Sequence, residues 1–409
     1  MIDRLIRSPL LEALSDTPVV LIHGPRQSGK STLGQSLEAG RTYVTLDDPI
    51  ALSLARRDPK AFLEAFPAPV MIDEVQRAPE LFLAIKLNVD RDRKPGKFLL
   101  TGSANVLNLP KLADSLAGRM EIVDLLPFSQ SELEDRPENF VDSVFEQSYA
   151  PRFEAEDMKG LVDRILRGGF PEPSLRSSPA RRDAWFANYV RTLLERDVKD
   201  VANIDGLSQM PLLLRLLAAR AGNTLNAAGL ATETGIPYTS LKRYLSLLET
   251  IFLLRLVNTW STDRSRILTK APKAYLVDTG LLCYLGNLSA KSLLDDPLRL
   301  KPVLENFVAL ELQKQCAYSE SKPWVLHLRT IRHLGVDFVL ESRQGEVVGI
   351  QVKSGTSLHE DDGEGLRFLR DLAGDKFVRG IVLYCGKEVQ PLDAKISGVP
   401  IGALWGPAS

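Results

Sequence analysis

The chain of 409 residues is long enough for two or three domains, and its 44% hydrophobic and 25% charged content excludes a disordered or fibrous protein. A formal net charge of −1 excludes a global field that would draw it to nucleic acid or to an anionic surface. The three cysteines, Cys283, Cys316 and Cys385, lie far apart with no C-x-x-C pair, which argues against a zinc finger or a disulfide framework.

No apolar run approaches the roughly 20 residues of a membrane-spanning helix. Met1-Ile2-Asp3-Arg4-Leu5-Ile6-Arg7 interleaves charge with apolar residues and lacks a signal-peptide core. The expectation is a cytoplasmic protein with no membrane association.

Residues 1–17 read as an amphipathic lead-in helix. The apolar, β-branched run Val19–Ile22 then feeds through His23 into Gly24-Pro25-Arg26-Gln27-Ser28-Gly29-Lys30-Ser31-Thr32, of the form G-x-x-x-x-G-K-[ST]. Strand, glycine loop and helix start in that order make a P-loop. The glycines let successive N–H groups face phosphate, Lys30 adds a point charge, and the Ser31 hydroxyl is a ligand for Mg²⁺. ATP and Mg²⁺ are the expected cofactors.

Val70-Met71-Ile72-Asp73-Glu74 is an apolar strand ending in two carboxylates. Asp73 is placed to hold Mg²⁺ and Glu74 to polarise the attacking water. Phe98–Ser103 is a strand ending in hydroxyls, where Thr101 or Ser103 is a candidate γ-phosphate sensor, or simply a strand-end turn residue. Tyr43–Leu46 and Ile122–Leu125 complete five strands alternating with helical stretches, the pattern of a parallel sheet covered on both faces.

Gly24–Thr32, Val70–Gln76, Leu99–Asn105 and Leu116-Ala117-Gly118-Arg119 resemble the ATPase core of a prokaryotic AAA+-like family with a nuclease-like C-terminal domain. The resemblance continues through Leu166–Pro171, Leu194–Val198, Pro272–Leu281, Val336–Val339 and Ile350–Ser354. It implies an α/β protein in four parts: an ATPase domain at 1–127, an acidic and helical linker or lid at 128–205, a winged-helix module at 206–296 and a nuclease-like domain at 297–409. It also suggests Arg119 as an arginine finger or sensor. The alternative is a structural arginine paired with Glu121 or Asp124.

Charge is unevenly placed along the rest of the chain. Residues 128–160 hold nine Asp/Glu against three Lys/Arg, whereas 211–273 hold nine Lys/Arg against three Asp/Glu. Helices at Leu212–Ala221 and Asn226–Thr234, a third from Pro237, and a hairpin of Leu254–Trp260 with Lys273–Val277 give the order of a winged helix. Lys242 and Arg243 on the third helix, with Arg264 and Arg266 at the hairpin tip, are the candidate duplex-DNA contacts. Packing or assembly is the competing role for the module.

From 297 onward the helix Leu304–Leu312 and the following strands look like the PD-(D/E)XK nuclease fold. In that fold a helix Glu, a strand Asp and an acid-x-Lys pair bind Mg²⁺ and activate water. Carried over, these positions are Glu305, Asp337, Gln351 and Lys353, and period-two alternation puts the last two on one strand face. Gln351 departs from the pattern, since an amide oxygen offers metal a dipole where most active members offer a charge.

The function expected is therefore an Mg²⁺-dependent ATPase whose nucleotide state positions a winged helix and a nuclease-like domain. An ATP-gated DNA-processing or defence nuclease, and a nucleotide-dependent switch or scaffold for a protein partner, are the alternatives. Duplex DNA, a protein and a second copy of the chain are the partner classes left open.

Overall fold

Val19–His23 is buried along its whole length, and a strand buried on both faces needs a continuous apolar run rather than alternation. A computed structural model of the chain describes residues 2–37, 40–103, 116–136, 139–197, 207–263, 271–329 and 334–406. In it the run is β1, the fourth strand of a five-stranded parallel sheet ordered β2-β3-β4-β1-β5. The others are β2 (Thr42–Thr45), β3 (Val70–Asp73), β4 (Phe98–Gly102) and β5 (Met120–Asp124). All five expected strands are present and parallel. Because they run the same way, every loop after a strand opens at one edge of the sheet, where open α/β sheets bind ligands.

Helices α1 (Arg7–Asp16), α2 (Lys30–Gln35), α3 (Pro49–Arg57), α4 (Pro59–Ala65) and α5 (Leu81–Arg91) accompany this sheet. α3 and α4 each begin with proline behind an aspartate cap, Asp48 and Asp58, whose carboxylates accept backbone N–H bonds. Phe62, Phe82, Ile85, Phe98 and Leu100 share one buried core with the sheet. This unit comprises Asp3–Pro127 with Leu248–Leu253.

A second compact unit takes Phe128–Leu247 and Leu254–Ser409, so the three later parts expected from sequence fall together apart from Leu248–Leu253. Its acidic N-terminal segment carries α6 (Gln130–Leu133), α7 (Phe140–Ser143) and α8 (Met158–Arg167). Gln130 N donates to Glu311 at 2.8 Å, Lys314 Nζ donates to the Phe128 carbonyl at 2.8 Å, and Asp142 accepts the Ser321 N–H at 3.0 Å. Arg164 binds Glu134 at 2.5 Å and Glu156 at 2.6 Å. The segment expected as a lid or linker is thus tied to the rest of its unit through Glu311, Lys314 and Ser321, and braced internally by Arg164.

Next come α9 (Pro179–Thr192), α10 (Met210–Ala219), α11 (Ala227–Thr234) and α12 (Tyr238–Thr250), then β6 (Leu254–Val257) and β7 (Lys273–Leu276), which pair antiparallel. After α13 (Thr279–Leu285) and α14 (Ala290–Asp295) runs the 22-residue α15 (Pro297–Tyr318). A six-stranded mixed sheet follows, ordered β12-β13-β11-β10-β9-β8. Its strands are β8 (Trp324–Arg329), β9 (Gly335–Glu341), β10 (Val347–Lys353), β11 (Phe377–Tyr384), β12 (Gln390–Asp393) and β13 (Ile396–Pro400), with α16 (Glu364–Ala373) between β10 and β11. Leu366 and Leu369, one helical turn apart on α16, join Val336, Val339, Phe377 and Val382 in the core of this sheet.

Candidate functional site

At the C-terminal end of β1 the chain enters the glycine loop. Gly24 has φ 157°, and a Cβ there would lie 2.1 Å from the Leu125 carbonyl oxygen, so only glycine fits. Gln27 and Gly29 both have positive φ, 62° and 94°, and such local inversions gather backbone N–H groups into an anion-binding concavity. Arg4, from the lead-in segment, braces the loop: its guanidinium donates to the Ser28 carbonyl at 2.9 Å and the Leu126 carbonyl at 2.7 Å. The Ser28 hydroxyl is buried without a hydrogen-bond partner among the described residues. A buried hydroxyl left so costs about 1–3 kcal/mol, which a phosphate oxygen would relieve.

Lys30 opens α2, and its ammonium donates to the carbonyls of Gly24 at 3.0 Å and Pro25 at 2.8 Å. Ser31 Oγ, next along, donates to both oxygens of Asp73, at 2.9 and 3.0 Å. That bond joins the glycine loop to the end of β3. Asp73 also accepts from Tyr43 at 3.0 Å and from the Thr101 hydroxyl. Burial first, then the Asp73 charge, raises the Tyr43 phenol above its ordinary pKa.

Glu74 stands in the left-handed region, φ 59° and ψ 43°. For a non-glycine residue that costs about 1–3 kcal/mol and persists only where neighbours enforce it. Here the Glu74 N–H donates to Thr101 Oγ1 at 3.1 Å, and its carboxylate accepts from Ser103 Oγ at 3.0 Å and from the Gln76 amide. Gln76 also donates to Ser103 at 3.0 Å. Thr101 therefore touches Asp73 and the Glu74 backbone, while Ser103 and Gln76 hold the Glu74 carboxylate. Sequence reading gives Gln76, Tyr43 and Arg4 no role here, because each meets partners 24 or more residues away along the chain.

Arg119 sits at the other end of the sheet. Its carbonyl accepts the Val19 N–H at the start of β1, and its Nε pairs with Asp90 at 2.5 Å, not with Glu121 or Asp124. The four steps from Val19 to His23 are about 13 Å of strand, so Arg119 does not reach the glycine loop of its own chain. His23, the last residue of β1, is buried and paired with Asp124.

In the second unit Lys242 and Arg243 are exposed on α12, with the Lys242 ammonium 4.6 Å from the centre of the Tyr238 ring. Arg264, Arg266 and Asn105 lie outside the described residues.

Of the four nuclease-like positions, three come together. Gln351 Nε2 donates to Asp337 Oδ2 at 2.6 Å, and Glu305 on α15 faces the same place. Lys353, two residues along β10, is paired instead with Asp362 at 2.5 Å. That carboxyl lies below its usual range because the His359 N–H and Lys353 outweigh its partial burial. The cation beside the acids is Lys273 of β7, whose Nζ lies 2.8 Å from Glu305 Oε1 and 3.1 Å from Asp337 Oδ1. Tyr275, two residues on and hence on the same strand face, donates to Glu305 Oε1 at 2.8 Å. Two bonds from the Asn306 side chain to the backbone of Leu276, 2.9 and 3.0 Å, clamp β7 onto α15.

Burial first, then Asp337, raises the Glu305 carboxyl to about 7, against the pull of Lys273. Burial also opposes the Lys273 charge, but Asp337 and Glu305 outweigh it and the amine titrates above the ordinary lysine value. Nearby His327 is depressed to about 4, by burial and then by Lys273, and its Nε2 lies 3.2 Å from the Thr259 hydroxyl. It is a neutral packing residue. Among the described residues no group of three or more His, Cys, Asp and Glu side chains is placed to hold a metal ion, and no helix is long and apolar enough to cross a membrane.

The five-stranded parallel sheet and the glycine loop belong to the P-loop class, and residues 16–134 match a family profile described as an AAA domain. The first unit thus carries an AAA-type, ATP-binding ATPase domain. Residues 158–292 and 300–404 match two domains of unknown function, DUF8612 and DUF4143. Over 393 residues the chain is 29% identical to the uncharacterized protein Rv2008c of Mycobacterium tuberculosis, covering 96% of this chain and 82% of that protein. It is 23% identical over 314 residues to the uncharacterized protein MJ1544 of Methanocaldococcus jannaschii, covering 75% and 67%. Among solved structures, the Walker-type ATPase PABY2304 of Pyrococcus abyssi aligns with a TM-score of 0.44 at 17% identity, over 70% of this chain and 96% of that one. AMPPCP-bound DnaA from Aquifex aeolicus aligns at 0.28 and 12%, over 60% and 86%.

Proposed function

We propose that the chain is an Mg²⁺-dependent ATPase in which Glu74 is the general base and nucleotide state governs a winged helix and a nuclease-like scaffold. The observation that carries this reading is the Ser31–Asp73 hydrogen bond, with Glu74 next in the chain and fixed in a strained conformation by Ser103 and Gln76. A hydroxyl and a carboxylate 2.9 Å apart at the mouth of a glycine loop are oxygen donors that would suit a hard cation such as Mg²⁺.

On ATP binding, Lys30 exchanges the carbonyls of Gly24 and Pro25 for phosphate oxygens, and the Ser28 hydroxyl gains an acceptor. Ser31 and Asp73 would hold Mg²⁺, which would supply charge neutralisation at the phosphates. Glu74 then takes the proton of the attacking water, oriented by Ser103 and Gln76. Arg119 acts on phosphate only from a second copy of the chain.

Turnover and nucleotide binding of Lys30→Ala and Glu74→Gln test the reading. Lys30→Ala loses tight ATP binding. Glu74→Gln keeps it while turnover falls by about 10²–10⁴, since the amide keeps the shape and loses the basicity. Equal loss of affinity in both removes Glu74 as base. Activity regained on mixing Lys30→Ala with Arg119→Ala protein supports action in trans, and two assembled mutants that stay inactive together count against it.

For the second unit, the three helices followed by a two-stranded hairpin support the winged-helix reading. The β8-β9-β10 meander crossing by α16 to a parallel β11 supports the nuclease-like one. The ammonium between Glu305 and Asp337 favours a binding or scaffold role over cleavage. Lys242, Arg243, Arg264 and Arg266 are the proposed duplex-DNA contacts, tested by repeating the turnover assay with duplex DNA across a salt series. A response unchanged by replacing all four returns the module to packing.

A further inference from the structure

We infer that the Glu305–Asp337 pair is a latent divalent-cation site that the chain fills with its own cation, the ammonium of Lys273. The inference rests on the nuclease-like reading only for the kind of cation displaced, and its test reads metal uptake rather than cleavage.

A metal bound by these two acids would lie between Glu305 Oε1 and Asp337 Oδ1, and Lys273 Nζ is there already, 2.8 and 3.1 Å from them. Its side chain and that of Glu305 are each only 10% exposed, and Asp337 is 14% exposed, so this is no loose surface pairing. The arrangement is fixed from three sides. β7 is clamped to α15 through Asn306, Tyr275 fastens the Glu305 oxygen that Lys273 uses, and Gln351 with the Val352 N–H fastens the far oxygen of Asp337 at 2.6 and 2.9 Å. Displacing the amine would strand an ammonium in a place with little water, and two cations a few ångströms apart repel strongly there.

The residues therefore do not fit Mg²⁺ as they stand, although two carboxylates and an amide oxygen form an acceptable oxygen set once the amine is gone. A route in exists. The cluster floors a cavity of about 460 Å³ that Asn223, Lys301 and Arg329 also line.

Free Mn²⁺, read by electron paramagnetic resonance in titrations of the nucleotide-free full chain, tests this. Wild type and Asp337→Asn should take up the same amount, any Mn²⁺ near Asp73 being common to both. Lys273→Met should bind one further Mn²⁺, at least tenfold more tightly than wild type binds any at this pair, and Lys273→Met with Asp337→Asn should lose it. Wild-type uptake that Asp337→Asn removes overturns the inference, and so does a folded Lys273→Met that gains none. If Lys273→Met does not fold, Lys273→Gln takes its place, and the comparison of wild type with Asp337→Asn needs neither. Mn²⁺ gained by Lys273→Met, with no cleavage of DNA even after adding Gln351→Glu, keeps the latent site and removes the nuclease-like reading.

Discussion

Asp73 and Glu74 in the first unit, and Glu305 and Asp337 in the second, are both pairs of acids held by hydrogen bonds, yet the groups that hold them differ in charge. Asp73 is bonded by the hydroxyls of Ser31, Tyr43 and Thr101, and Glu74 by a hydroxyl and an amide. Neutral donors orient a carboxylate without cancelling its charge, and a hydroxyl can turn its lone pairs to a metal ion as readily as it donates. Two hydrogen bonds of Lys30 go to carbonyl oxygens, from which it can move to phosphate. Glu305 and Asp337 meet an ammonium directly, and their charge is already answered. A pair of acids does not make a metal site; what matters is whether the fold leaves their charge for a metal to answer.

The comparison breaks most visibly at Lys273. Lys273→Met, measured by denaturant unfolding without metal, should cost about 3–5 kcal/mol, because it leaves two buried carboxylates unpaired. Adding Glu305→Gln and Asp337→Asn should restore most of that, and failure to restore it would mean that Lys273 acts by packing rather than by charge.

A smaller effect sharpens the first site. Gln76→Ala and Ser103→Ala should each lower ATP turnover about tenfold, or ~1.4 kcal/mol, with nucleotide affinity unchanged, since they position Glu74 and do not touch nucleotide. A fall in affinity of the same size would show that the two hold the loop instead.

The second site can also be read through pH dependence. Glu305 protonates near pH 7 in the folded chain against an ordinary value of 4.5, so the folded state binds the extra proton between those limits. Its contribution to stability is full below about pH 4.5 and is lost as pH rises through about 7. The thermal midpoint of wild type relative to Glu305→Gln should therefore fall between pH 5 and pH 8 and flatten above. A flat difference would mean that Lys273 keeps Glu305 ionised throughout.

Much of the fold was legible in the chain. The five strands of the parallel sheet, the paired hairpin strands and β10 at Val347–Lys353 follow from apolar runs and turn residues. The ends differ by a few residues: the second hairpin strand begins at Lys273 as expected, but the first stops at Val257 rather than Trp260. β12 and β13 went unread, being short strands with Pro391, Gly398 and Pro400 among them. The acidic stretch looked like a lid because sequence shows the charge of Glu134, Asp142 and Glu156 but not their partners.

The sequence by itself determined the glycine loop, because a P-loop is a contiguous run whose backbone conformation is dictated by its own glycines, whereas the sheet order brings Asp73 at the end of β3 against Ser31. At the second site the pattern along the chain pointed to Glu305, Asp337 and Gln351, and tertiary structure alone decided the cation. Lys273 is 32 residues from Glu305 and 64 from Asp337, with no spacing rule linking them. Lys353, the lysine that sequence pattern pointed to, went to Asp362. Which cation answers a buried pair of acids is set by strand pairing and burial, since at contact distance in a place of low dielectric the nearest ammonium outweighs any pattern along the chain.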